Sequence, residues 1–84
     1  MSNLKATLRI GRGESNADIC RRNGWVAGTR LVGDEGYGPT VIEITAVGRE
    51  GILAVEISHN GKLTHGAHEG HWTLSERDWK EDKL

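Results

Sequence analysis

Leu4, Ala6, Leu8 and Ile10 alternate with Lys5, Thr7 and Arg9, the period of two that marks a half-buried strand. Gly11 to Glu14 break the pattern. Ser15, with Asp18 three residues on, has the form of a helix N-cap, and Asn23-Gly24 supplies a left-handed stop, so a short helix is predicted over 16–23. From Trp25 onward the period is β. Strands are predicted at Thr29–Val32 and at Thr40–Val47, the second with Ile42, Ile44 and Ala46 on one face. A turn at Gly48–Gly51 leads to a strand at Ile52–Ser58, with Leu53, Val55 and Ile57 as its apolar face. Asn60-Gly61 between strand-like runs predicts a two-residue type I′ hairpin. That register sets Ser58 opposite Leu63, His59 opposite Lys62, and Glu56 opposite His65 as a cross-strand pair. His71–Leu74 reads as a further strand, Ser75–Asp78 as one helical turn, and Trp79 as the entry to a last short strand, with the charged residues 80–84 as a fraying tail.

Short strands, frequent turns and one short helix imply a mostly β fold: a small, strongly bent antiparallel barrel of SH3-like form with one short N-terminal helix. The alternative is an α+β single sheet with the helix on one face. The chain of 84 residues is one domain, with the strand and helix in 1–23, the barrel core in 24–79 and the tail in 80–84. Twelve glycines against one proline support the turns. In the absence of Phe, the three tryptophans, Trp25, Trp72 and Trp79, are expected to anchor the core.

Charge adds a local feature. Residues 1–32 carry six Lys/Arg against two acids and residues 33–84 five against ten, for a net charge of −1. Arg9, Arg12, Arg21, Arg22 and Arg30 are candidates for a basic patch, with Tyr37 or Trp25 to stack on bases. The acidic second half and the overall charge weigh against nucleic acid. One cysteine, Cys20, allows no internal disulfide, and no apolar run reaches membrane length, so a cytoplasmic protein without a membrane partner is expected.

His65, His68 and His71 invite a zinc reading. On a strand His68 points away from the other two, which stand about 20 Å apart, whereas a tetrahedral site holds its ligands roughly 2 Å from one ion. Gly66 and Gly70 disfavour a helix, and HEGH is one residue short of the HExxH pattern. No metal and no cofactor is expected. Ser58 and His59 point to opposite faces of a strand and make no nucleophile–base pair, so no catalytic residue is assigned and a nonenzymatic role is expected.

GDEGYGPT, residues 33–40, is the more distinctive loop. Its glycines let backbone N–H groups approach a ligand closely, Tyr37 offers a stacking surface and Thr40 a hydroxyl. These are parts of a nucleotide site, although the loop has neither the lysine of a Walker motif nor a following helix. The structural alternative is a long turn whose Tyr37 packs back on the barrel.

The runs GWVAGTRLVGDEGYGPTVIEITAVG, LAVEISHNG and EGHWTLSERDW resemble a group of small proteins of tailed bacteriophages and prophages, over roughly residues 24–79. No activity carries over from that group. The resemblance implies a stoichiometric binder of a host protein, or a small-ligand binder that sequesters a nucleotide. Candidate contact residues in the shared motifs are Glu35, Tyr37, Gly38, Thr40, His59, Asn60 and Arg77. Asn60 also has a structural role as a turn residue, and Trp72 and Trp79 are assigned to the core.

Overall fold

Ser15 starts the first element. Its hydroxyl accepts from the Asp18 backbone N–H at 3.1 Å and the Asp18 carboxylate accepts from the Ser15 N–H at 3.2 Å, a reciprocal capping box worth about 1 kcal/mol. Helix α1 runs over Asn16–Asn23 and stops at Gly24, whose φ of 75° is left-handed. The span agrees with the sequence reading because both ends are written in local capping chemistry. The structure, a computed structural model, describes residues 14–34, 36–75 and 78–82. The strand expected at 4–10, and Glu35 and Arg77 among the candidate contact residues, lie outside them.

The strands are β1 (Arg30–Asp34), β2 (Pro39–Val47), β3 (Ile52–His59), β4 (Lys62–Leu63), β5 (Gly70–His71) and β6 (Lys80–Glu81). They form one six-stranded antiparallel sheet in the order β4-β3-β2-β1-β6, with β5 on the same edge of β3 as β4 but at its other end. Among the described residues the sheet is open: no ladder joins β6 to β4 or β5. The helix packs against one face, so the fold is mostly β, one antiparallel sheet with one short helix, as the coarser expectation has it. Within the expected tail, Lys80 and Glu81 pair with Val32 and Leu31 and the Asp82 N–H donates to the Arg30 carbonyl. The strand expected at 71–74 is only Gly70–His71, and the one-turn helix expected at 75–78 falls partly outside the described residues.

The β2–β3 ribbon departs from a regular hairpin in its middle. Thr40 pairs with His59 and Val47 with Ile52, as one uniform register would have it, yet Ile42 pairs with Glu56, Glu43 with Val55 and Ile44 with Ala54. The pairing skips Ile57 on one strand and Thr45 on the other, so two bulges displace the central pairs by one residue. Without them Ile42, Ile44 and Ala46 would face Ile57, Val55 and Leu53, the apolar face predicted from alternation. Glu43 would then stand directly against Glu56, an unfavourable like-charge pair. In the structure Glu43 accepts from Arg30 at 3.1 Å, and Glu56 accepts from the Thr64 hydroxyl at 2.6 Å.

Two expectations for β3 are corrected, the first by the bulges and the second because β4 ends at Leu63. The buried residues of β3 are Ile52 and Ala54, and Leu53, Val55 and Ile57 are only half-buried. Glu56 is bound to Thr64 and not paired with His65, which is exposed beyond the end of β4. The core consists of Leu31, Ile42, Ile44, Ile52 and Ala54 from the sheet, Ala17 and Cys20 from α1, and Trp25, Leu74 and Trp79. Trp72 packs at its edge, its ring 6.0 Å from that of Trp79 and nearly perpendicular to it. Ala54, the smallest of the sheet residues in this core, shares it with Ala17 and Cys20 of α1.

Candidate functional site

Two hairpin tips lie side by side at one end of the sheet, because Thr40 at the start of β2 is the register partner of His59 at the end of β3. The first tip is the β1–β2 loop. Asp34 folds it by accepting from the Gly36 N–H at 2.6 Å and from the Gly38 N–H at 3.2 Å, with Gly36 and Gly38 at φ of 107° and 103°. The second tip is Asn60-Gly61, both with positive φ, as a type I′ turn requires.

Three contacts join the tips. The Asn60 N–H donates to the Pro39 carbonyl at 2.6 Å, and Thr40 Oγ1 and His59 Nδ1 share a hydrogen bond of 2.8 Å. The Gly38 backbone lies so close to Asn60 that a Cβ there would meet Asn60 Oδ1 at 2.7 Å. The glycine is required both by this approach and by its backbone angle. Asn60 thus serves the turn and the junction at once.

Of the candidate contact residues, Gly38, Thr40, His59 and Asn60 come together here. Tyr37 stands on the same loop, but its ring is 82% exposed and does not pack back on the sheet. The Thr40 hydroxyl is buried and bound to His59. The Gly36 and Gly38 N–H groups are bound to the Asp34 carboxylate. The donors on which a nucleotide site would draw are thus already engaged by an internal anion.

The histidine stretch belongs elsewhere. His71 pairs with Leu53 near the start of β3, six residues from His59 and so about 20 Å away along the strand. Its loop is tied to the β2 bulge by the Thr45 hydroxyl, which donates to Glu69. The GDEGYGPT loop and the histidine loop do not form one site. Among the described residues no three His, Cys, Asp or Glu side chains are grouped to hold a metal ion.

The arginines are engaged as well. Arg21 binds Asp18 at 2.8 Å and the carbonyls of Gly48 and Arg49, Arg22 binds both carboxylate oxygens of Glu14, and Arg30 binds Glu43. Hydrogen bonds from these arginines hold the carboxyls of Glu14 and Asp18 below their ordinary pKa. Burial pushes the Cys20 thiol up, away from the reactive thiolate.

One feature was not foreseen from the sequence: a cleft of about 420 Å³ lined by Arg22 and Asn23 at the end of α1, by the buried Trp25, Leu74 and Trp79, and by Asp78. Its walls come from opposite ends of the chain, and the spacing of the tryptophans alone does not reveal it.

The molecule is thus a small β-sheet protein whose sheet, covered by a helix on one face, presents an exposed tyrosine at a doubly braced pair of hairpin tips. Residues 14–83 match the family described as domain of unknown function DUF7241, and the chain belongs to that family. No curated protein and no solved structure matches the chain.

Proposed function

We propose that the protein acts by stoichiometric binding, without catalysis, as a phage or prophage accessory protein that engages and modulates a host protein in the bacterial cytoplasm. The observation that carries this is Tyr37. A large ring left 82% exposed costs free energy in water, and here it is held on a loop whose backbone is fixed by Asp34 and by the neighbouring turn. A rigid, exposed aromatic is the kind of residue that anchors a protein interface, because little conformational freedom is lost when it is covered. His59, Asn60 and Lys62 supply a polar rim beside it. The sheet is taken to be a small SH3-like barrel left open at its edges, with the Thr45 and Ile57 bulges providing the bend.

The test is capture of a partner from host lysate by the full-length protein and by Tyr37→Ser. The wild-type chain is expected to retain one stoichiometric partner and the variant to lose it, with the melting temperature of the two alike because the ring is exposed. Equal capture by both removes Tyr37 from the interface. A rise in melting temperature with added nucleotides, and no protein partner, would instead favour sequestration of a small ligand.

A further inference from the structure

The chain contains two Asn-Gly pairs, Asn23-Gly24 and Asn60-Gly61. Such a pair can modify itself, because a glycine nitrogen, with no side chain beside it, approaches the preceding side-chain amide unhindered. The nitrogen adds to the Asn Cγ and a five-membered succinimide closes; the Cγ–Nδ2 bond breaks and ammonia leaves, carrying the backbone amide proton. Water then opens the ring at one of its two carbonyls. The products are an aspartate, or an isoaspartate whose backbone runs through the side-chain carbon. The ring can close only when the glycine nitrogen lies on the same side as the Asn Cβ, at an Asn ψ of about −120°, the value found at the first central residue of a type II′ turn.

Neither pair has that geometry in the folded chain. Asn23 is the last residue of α1; its Nδ2 donates to the Ile19 carbonyl at 2.8 Å, and the Gly24 N–H donates to the Arg21 carbonyl at 3.3 Å. Asn60 and Gly61 have φ of 54° and 83°, and the positive φ of Gly61 marks a type I′ turn, in which the first ψ is about 30°. A flip of the peptide between them, about 150° in ψ, carries the turn to the reactive II′ form while the Asn60 φ stays as it is. The side chain must move as well. The Asn60 amide rests against the Gly38 backbone, where a Cβ would lie 2.8 Å from its Cγ.

We infer that Asn60 is a site of self-deamidation gated by the brace between the two hairpin tips, closed while the β1–β2 loop holds Asn60 and open when the tips part. The Asn60 N–H bond to Pro39 and the Thr40 bond to His59 fix the chain before the turn, and the His59–Lys62 register pair closes it behind. The tip is exposed at the end of the sheet, so its local opening costs less free energy than opening the end of α1, which leads directly into the buried Trp25. Asn60 therefore reacts before Asn23. The reaction runs one way. It leaves a carboxylate where a neutral amide met Gly38, on a loop already closed around the Asp34 carboxylate. An isoaspartate also adds a methylene to the backbone of a turn whose length sets the His59–Lys62 register. The brace beneath the Tyr37 loop is then lost, whether or not Tyr37 contacts a partner.

Incubation of the full-length chain at neutral pH, followed by proteolysis and mass spectrometry of the two Asn-Gly peptides, tests the inference. In urea above the unfolding transition both pairs are free and should react at similar rates. In the folded chain both should slow, Asn60 by about tenfold or more and Asn23 further still. Gly38→Ala displaces the Asn60 side chain, and Thr40→Val removes the hydroxyl bound to His59. Each variant, shown to be folded by circular dichroism, should speed the reaction at Asn60 several-fold and leave Asn23 at its wild-type rate. Asn23 is thus an internal control. Acceleration of both pairs together would report unfolding of the whole chain instead of parting of the tips, and overturns the inference. So does a folded wild-type chain in which Asn60 reacts as fast as in urea or later than Asn23, or a pair of folded variants in which it reacts no faster than in wild type.

Discussion

The two faces of this sheet are both apolar, yet only one is core. On the helix side Leu31, Ile42, Ile44 and Ala54 are fully buried; on the other side Val32, Val41, Leu53 and Val55 are only half-buried. The same strands supply both sets. Composition therefore does not choose the core face; the helix does, by presenting Ala17 and Cys20 where small and medium side chains must meet it. An apolar side chain is worth what its packing makes it worth.

The sharpest break of that comparison is truncation on each face. Ile44→Ala removes atoms from a site with no solvent access and should cost about 2–5 kcal/mol in denaturant unfolding. Val55→Ala, measured in the same way on dilute protein, should cost about 1 kcal/mol or less because its side chain keeps contact with water. Equal losses would mean that the open face is covered in the folded monomer. Next in size is Gly38→Ala, at an edge that neither face buries. Its φ of 103° and the approach of Asn60 should together cost about 1–3 kcal/mol, read as a lower denaturation midpoint at unchanged slope.

A smaller effect than that of Gly38→Ala acts only through the covered face. Ser15→Ala loses the cap of the covering helix and should cost about 1 kcal/mol. The cap also has a pH signature. Hydrogen bonds from Arg21 and from Ser15 lower the Asp18 pKa in the folded chain. The unfolded state therefore takes up the proton first as pH falls. The contribution is complete above the ordinary carboxylate range and is lost as pH drops through the lowered folded value. Thermal melts from neutral to acid pH should show this loss, and Asp18→Asn should flatten that part of the profile.

What the sequence discloses follows the range of the interaction that sets each element. Ser15, Asp18 and Asn23-Gly24 fix α1 within a single turn at either end, and Asn60-Gly61 fixes the β3–β4 register through its own backbone angles, so both were legible. The buried face of β3 was not. Regular alternation, with Leu53, Val55 and Ile57 inward, describes a hairpin without bulges, and what disfavours that hairpin is remote in sequence: the uniform register would set Glu43 against Glu56. The same holds for the site. Gly38, Thr40, His59 and Asn60 were each named, but the contact of Gly38 with Asn60 belongs to two loops and to neither motif. The separation of the histidine loop from that end follows from β5 pairing at the far end of β3, a distance no local pattern encodes.

The two bulges lie on opposite strands, and their effects on the ribbon cancel. Thr45 advances one strand by a residue and Ile57 advances the other, so the three pairs between them are read out of frame while both ends stay in frame. Like a paired insertion and deletion in a coding sequence, each bulge is tolerable only in company with the other. Drawing either bulged residue alone into the ladder would shift one hairpin end against its neighbour and separate Thr40 from His59. Drawing in both would restore one frame and leave a flatter ribbon, with Ile42, Ile44 and Ala46 opposite Ile57, Val55 and Leu53.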